Sequence, residues 1–129
     1  VSGVVLSNSC DIDVRNPRVQ PSNVLFAPLI KVSRYEELLR NSGKDSEQIA
    51  NTLSAIRSQT TTYIFYLPEI SGTLEPSMVL LDDIHAQPLS NFLQTKTSRL
   101  FVLSQYAFYL LLMKLSIHLS RFQEGVARY

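Results

Sequence analysis

A polar cluster near the start of the chain holds the first residues that could do chemistry. The stretch "SNSCDID" follows a short apolar run and contains the only cysteine of the chain, Cys10. A cysteine becomes a nucleophile when a base or a cation lowers the pKa of its thiol, and the neighbouring carboxylates would raise it. Ser7, Asn8, Cys10 and Asp11 are therefore weak catalytic candidates at a strand end, and an ordinary turn explains the same residues.

His85 is the candidate general base, because Asp83 precedes it by two positions and could orient its ring. The alternative is an exposed histidine in a loop. Asp11, Asp13, Asp82 and Asp83 could surround Mg²⁺ if two strand ends are neighbours. Acidic turns and helix caps are the more ordinary explanation, and the sequence has no Gly-rich phosphate loop and no Cys/His zinc spacing. We therefore expect neither a metal nor a cofactor.

Four basic side chains are candidates for contacts to the phosphates of RNA. Lys114, His118 and Arg121 follow one another at helical spacing, and Arg15 lies close to the polar cluster. Residues 98–129 carry four Lys or Arg and one Glu, so this part of the chain is the one that would face an anion. The alternative is an ordinary solvated helix face with cations near its C-terminus.

The composition indicates one globular domain over residues 1–129. Hydrophobic residues make up 45% of the chain, and the formal net charge of +1 is too small to imply polyanion binding by itself. One cysteine excludes an intrachain disulfide, which agrees with a reducing, cytoplasmic location. The longest apolar run is far shorter than the ~20 residues of a membrane span, so we expect no membrane segment. Because the first residue is Val1 and not Met, we also expect that an N-terminal segment is missing.

The hydrophobic pattern predicts both strands and helices. Strands are predicted at residues 1–8, 24–32, 60–67, 77–84 and 97–103, and helices at 33–40, 45–59 and 105–122, with a loop at 85–94. In the second helix, Ile49, Leu53 and Ile56 lie on one apolar face.

Three helix starts carry capping residues. Asp45 and Gln48 have the spacing of a capping box, and Ser33 and Glu36 have the same spacing. Ser104 is placed to cap the last helix.

The last predicted helix has more apolar surface than a helix on the outside of a domain needs. One stripe contains Phe108, Leu111, Leu112, Leu115, Leu119 and Phe122, and from it we expect Phe108, Leu112, Leu115 and Leu119 to pack on the rest of the domain. The second stripe contains Tyr106, Leu110, Met113 and Ile117. We expect this second stripe to meet a protein partner or a second copy of the chain.

Three separated segments carry a family resemblance. They are "VVLSN", "VLFAPL" and "SMVLLDDIHAQPLSNF", in this order, and a C-terminal helix follows them. This order resembles the PemK/MazF toxin family, and "SNSCDI" is similar to a "TCDI"-type motif of uncharacterised bacterial proteins. The resemblance implies an α+β, mainly β fold, namely a small, strongly bent antiparallel SH3-like barrel with inserted helices and a long C-terminal helix, often as a dimer. It also implies a metal-independent endoribonuclease.

The chain departs from the family at the positions that carry catalysis. The family uses an Arg just before the "VLSN" strand and a Thr just after "APL", and the matching positions here are Val1 or Ser2, and Ile30. We therefore expect a divergent domain without the family's catalytic residues, which acts as a protein-interaction or RNA-binding module in a bacterial toxin-antitoxin or defence-type system. The alternative is an endoribonuclease toxin with altered catalytic residues.

Overall fold

An antiparallel sheet with helices on both of its faces makes up the fold, which is α+β. A computed structural model describes residues 2–7, 13, 15, 22–94 and 98–121. The strands in this part of the chain are β1 (Gly3–Val5), β2 (Asn23–Lys31), β3 (Ile64–Leu67), β4 (Ser77–Leu80) and β5 (His85–Pro88). The helices are α1 (Val32–Asn41), α2 (Ser46–Arg57), α3 (Leu89–Gln94) and α4 (Gln105–Arg121).

The nine-residue strand β2 is the centre of the sheet. β1 pairs with one side of it, with Val4 opposite Ala27, and both β4 and β5 pair with the other side. β3 pairs with β4 at the end of the sheet. Pro28 lies between the residues of β2 that pair with β5 and those that pair with β4. The next amide, that of Leu29, donates to the carbonyl oxygen of Ser2 at 2.8 Å and so joins β2 to the start of β1.

The sheet is open, and the closed barrel that the resemblance implies is not shown. In the described residues β1, β3 and β5 each pair with only one other strand, so each leaves one edge open. The outer edge of β3 is occupied by side chains, because Gln59 bonds to the backbone of Tyr66 and Lys114 bonds to the carbonyl oxygen of Ile64. These side chains stand where a further strand would have to pair.

One of the two predicted capping boxes is confirmed. The amide of Gln48 donates to Asp45 Oδ1 at 2.8 Å, and the amide of Asp45 donates to Gln48 Oε1 at 3.2 Å. The cap predicted at Ser33 is wrong, because β2 runs directly into α1 and the residue before the helix makes no side-chain cap bond. The first amide of α1, that of Val32, donates instead to the carbonyl oxygen of Pro76 at 2.9 Å.

Three further predictions need correction in the second half of the chain. Residues 85–94, predicted as a loop, form β5 and α3. The strand predicted over 77–84 ends at Leu80, because the chain turns there before β5 begins. The described part of the strand predicted at 97–103 is irregular.

Two hydrophobic clusters lie on opposite faces of β3 and β4. The α4-side cluster contains Val4, Ala27, Phe65, Leu67, Val79, Leu81 and Leu111. The α1/α2-side cluster contains Val32, Leu39, Ile49, Leu53, Ile56, Ile64 and Met78. Since successive side chains of a strand point to opposite faces, β3 and β4 contribute to both clusters. This double coverage explains why the strand sequence "IFYL" is apolar throughout.

Candidate functional site

The helix α4 begins at the predicted cap. Ser104 Oγ accepts a hydrogen bond from the amide of Ala107 at 3.2 Å, and the Ser104 carbonyl oxygen accepts one from the amide of Phe108 at 2.9 Å. Further along, three residues of the helix are buried, and two of them are basic: they are Leu111, Lys114 and His118, with exposures of 2%, 5% and 8%. The two described members of the predicted basic line, Lys114 and His118, are therefore buried and do not face solvent.

The side of α4 that packs on the domain agrees only in part with the predicted stripe. Phe108, Leu112 and Leu119 were expected to pack inward, but they are 46%, 41% and 51% exposed. Two members of the same stripe pack in the α4-side cluster, Leu111 fully and Leu115 partly.

The ammonium group of Lys114 explains this orientation. It donates to Gln59 Oε1 at 3.0 Å and to the carbonyl oxygen of Ile64, so it has two acceptors inside the protein. A buried cation without such acceptors would be strongly destabilising. Burial lowers the pKa of Lys114 to about 8. Lys114 thus links α4 to the edge of the sheet by hydrogen bonds.

Gln59 completes the hydrogen bonds around Lys114. It follows the end of α2 with a backbone φ of 64°, in the left-handed region that few residues other than glycine adopt. Its side chain donates to the Tyr66 carbonyl oxygen at 2.9 Å and accepts from the Tyr66 amide at 3.0 Å, as a neighbouring strand would. We call Gln59, Ile64, Tyr66 and Lys114 the polar node.

Sequence reasoning missed the polar node. The available signal was a single lysine in the middle of a mostly apolar helix. That signal favours the wrong orientation, because turning Lys114 toward solvent would leave the least hydrophobic surface exposed. No sequence pattern connects Lys114 to Gln59, which lies 55 positions earlier in the chain. Its acceptors become visible only once β3 and α4 are packed together.

The four basic residues predicted to contact RNA form no exposed cluster in the described part of the chain. Lys114 and His118 are buried. Arg15 is at the surface and pairs with Asp13, with 2.9 Å between Nη2 and Oδ2, and this bond holds the pKa of the Asp13 carboxyl below its usual value. The side chain of Arg121 lies outside the described residues.

The solvent side of α4 is uncharged and mainly apolar, with Ser116 and Ser120 as its exposed serines. Its large apolar residues are Tyr106, Phe108, Tyr109, Leu112, Met113, Ile117 and Leu119, which are 41–81% exposed, and we call these residues the apolar face. At about 100° per residue they cover about half of the helix circumference. From Gln105 to Ser120 the only acidic or basic side chains are Lys114 and His118, and both are buried.

The predicted interface residues mostly belong to the apolar face. Tyr106, Met113 and Ile117 are 81%, 55% and 46% exposed. The fourth, Leu110, packs partly against the α4-side cluster. The contact with a partner stays a prediction, and the surface available for it is now defined.

The expected proximity of His85 and Asp83 is present. His85 Nε2 lies 3.0 Å from Asp83 Oδ1, and the imidazole stacks on Phe26 with ring centroids 5.5 Å apart. Both side chains of this pair are more than half exposed. A carboxylate beside an imidazole can orient it for proton transfer, but open water surrounds this pair.

The other catalytic candidates are not assembled with His85 in the described residues. Ser7 Oγ accepts a hydrogen bond from the amide of Leu25 at 2.8 Å, which fastens the chain after β1 to β2. β5 pairs with the opposite side of β2, so β2 separates the backbones of Ser7 and His85. Three candidates lie outside the described residues: Asn8, Cys10 and Asp11.

A cavity of about 470 Å³ opens beside β2 and β4. Among its lining residues, Lys31 Nζ pairs with a Glu75 carboxylate oxygen at 2.9 Å, and Ser77 Oγ donates to the Glu75 carbonyl oxygen at 2.7 Å. The polar groups of this wall thus bond to one another. No group of three or more His, Cys, Asp or Glu residues in the described ranges could hold a metal ion.

Comparisons with known proteins gave no relative: no family model, no curated protein and no solved structure matches the chain. The resemblance to the PemK/MazF family therefore stays a prediction. Among the helices that the structure describes, none is long and apolar enough to cross a membrane.

Proposed function

We propose that this chain is a non-catalytic interaction domain that binds a protein through the apolar face of α4. One observation carries the proposal: seven large apolar side chains of one helix are 41–81% exposed, while the lysine of the same helix is buried. A helix that is apolar on all sides is typical of a protein interior. A protein partner would complete the burial that the sheet provides on one side only.

The hydrophobic free energy at this surface is large enough for binding when the whole face is covered. Full burial of a Leu, Phe or Met side chain contributes about 1.5–3 kcal/mol, and the residues of the apolar face are about half buried already. Covering all seven then contributes on the order of 5–10 kcal/mol. Association itself costs about 4–15 kcal/mol, so a partner that touches two or three of the side chains would not remain bound.

The absence of charge on the apolar face favours a protein over RNA or a membrane surface. RNA binding depends on exposed Lys and Arg that neutralise phosphates, and Lys114 and His118 are buried. A helix that lies on a membrane surface carries Lys and Arg on its polar side. The exposed residues from Gln105 to Ser120 include neither.

Two described positions support a domain without the family's catalytic residues. Ile30, at the position that matches the family's Thr, packs partly against the α1/α2-side cluster and has no group that transfers a proton. The Ser7 hydroxyl is engaged with the backbone of β2. Descent from a PemK/MazF-like barrel of a toxin-antitoxin or defence-type system is part of this proposal.

A photo-crosslinking amino acid tests the proposal in cells of the source organism. At Tyr109, in the apolar face, it should capture one discrete protein in high yield, which is either another protein or this chain itself. At Ala50, an exposed position of α2, the same amino acid is the matched control and should capture nothing specific. Equal labelling patterns at the two positions would contradict the proposal.

A further inference from the structure

We infer that the protein that covers the apolar face is a second copy of this chain, with the two α4 helices antiparallel around Met113. The inference rests on the proposed function and adds the identity of the partner. Three properties of α4 lead to it: its charge, its exposed area and the order of its side-chain sizes.

The charge distribution of α4 suits contact with an identical surface. In a two-fold contact each residue meets residues of the same patch, so any charge on the patch meets a like charge near the axis. The apolar face has no charge, because Lys114 is directed into the polar node and His118 is buried. A surface that recognises a different protein commonly carries charges that complement that partner.

The exposed area of the apolar face is close to one half of a stable interface. Half-exposed aromatic and aliphatic side chains present on the order of 100 Å² each, so the face presents on the order of 700 Å². The largest apolar patch of a typical monomer is about 300–600 Å². Specific interfaces bury about 800 Å² on each partner. Leu100 and Val102, which are 48% and 73% exposed and lie just before α4, add further apolar surface.

The order of side-chain sizes along α4 selects the antiparallel arrangement. The large Tyr106 and Tyr109 lie in the first half of the helix, the small Ser116 and Ser120 lie in the second half, and Met113 is midway between residues 106 and 120. An antiparallel pair centred on Met113 therefore places Tyr106 of one copy opposite Ser120 of the other, large against small. A parallel pair would place tyrosine against tyrosine and would align the two helix dipoles unfavourably.

The first test is the oligomeric state of the full chain across a concentration series, measured by analytical ultracentrifugation. We expect the wild-type chain to form a dimer and Met113→Glu to be a folded monomer, because two carboxylates would meet at the two-fold axis. Ala50→Glu on α2 is the matched control and should remain a dimer. A wild-type chain that is monomeric at every concentration would overturn the inference.

The second test reads the arrangement directly and does not depend on the folding of Met113→Glu. In a Cys10→Ser background, Tyr106→Cys and Ser120→Cys proteins should form a disulfide when they are mixed and oxidised. Neither should cross-link alone, because a disulfide needs Cα atoms within about 7 Å of each other.

A Tyr106→Cys protein that links to itself would show a parallel pair and overturn the antiparallel arrangement. A complete absence of cross-links would overturn self-association at this face. The photo-crosslinking experiment at Tyr109 then tests the proposed function separately. Capture of a different protein would support binding through the apolar face even if the chain does not associate with itself.

Discussion

The two faces of the sheet are covered by helices with opposite distributions of polar and apolar residues. On one face, α1 and α2 pack their apolar residues against the sheet, and ion pairs such as Arg40–Glu36 lie on their solvent side. On the other face, Lys114 of α4 is buried, and seven large apolar side chains of the same helix are exposed to solvent. Within the described residues, the helices on the α1/α2 side bury most of their apolar side chains, whereas α4 leaves a large apolar surface exposed.

Helical periodicity selects the buried face of a helix only when polar residues separate the apolar ones. In α2 the apolar residues Ile49, Leu53 and Ile56 are separated by polar ones, and the predicted buried face is confirmed. In α4 apolar residues occur on all sides, so hydrophobicity does not distinguish one orientation from another. Hydrogen-bond acceptors then settle the orientation, because Lys114 reaches the Ile64 carbonyl oxygen and Gln59 only when it faces the sheet.

The neighbouring residues Leu111 and Leu112 give the largest expected contrast. Leu111→Ala should lower the free energy of unfolding by about 2–5 kcal/mol, because it empties a site in the α4-side cluster. Leu112→Ala, at a position that is 41% exposed, should lower it by less than about 1 kcal/mol. Urea unfolding in the Met113→Glu background measures both without a contribution from self-association. Equal losses, or the reverse order, would contradict the orientation of α4.

The buried position of Lys114 should make stability rise at alkaline pH. Burial lowers the pKa of Lys114 to about 8 from the ordinary value of 10.5. Between these values the unfolded chain holds a proton that the folded chain has released. The free energy of unfolding should therefore increase with pH, by about 3 kcal/mol over the whole interval.

Lys114→Met is the control for this pH dependence, because methionine does not titrate. Burial raises the pKa of Tyr35, which has the opposite effect on stability near pH 10, but that effect is common to both proteins and cancels in their difference. Urea unfolding of the two proteins at a series of alkaline pH values checks the prediction. Identical pH profiles would show that Lys114 is solvated.

The helix caps on the two sides of the sheet should differ modestly. Asp45→Ala removes a capping box with two reciprocal hydrogen bonds and should cost about 1 kcal/mol. Ser104→Ala removes one side-chain bond of 3.2 Å from α4 and should cost about 0.5 kcal/mol. Thermal unfolding of both variants gives the comparison. A larger loss for Ser104→Ala would mean that α4 depends on its own first turn more than on its contacts with the sheet.

No effect at all is expected in a ribonuclease assay. Ile30 has no hydroxyl at the position where the PemK/MazF family has Thr, so purified protein should leave a long single-stranded RNA intact in EDTA. Ile30→Thr is an informative variant of the same assay, because it restores that hydroxyl. Specific cleavage by the wild-type chain that survives EDTA would contradict a non-catalytic domain.

Local sequence patterns predicted the elements whose structure depends on neighbouring residues. The capping box of Asp45, the Ser104 cap and the apolar face of α2 involve residues three or four positions apart, and all three are present. Ser33 shows the limit of this reasoning. Its spacing to Glu36 matches a capping box, but the helix begins at Val32, and the Val32 amide donates to the carbonyl oxygen of Pro76, far along the chain.

The candidate site depends on contacts between distant residues, which the sequence pattern does not contain. The polar node joins the end of α2, the edge of β3 and the middle of α4, and it requires the uncommon backbone conformation of Gln59. Without knowledge of those acceptors, the most economical interpretation of Lys114 is a solvated lysine. The proximity of His85 and Asp83 was predictable, because only one residue separates them.

The two methionines of the chain offer a direct measurement of which side of α4 faces water. Met78, on β4, is fully buried in the α1/α2-side cluster, whereas Met113 is 55% exposed at the centre of the apolar face. In dilute solution Met113 should be oxidised by peroxide much faster than Met78, and its rate should fall as the protein concentration rises and the face becomes covered. A Met113 that is oxidised as slowly as Met78 at every concentration would show that α4 buries this side within its own fold.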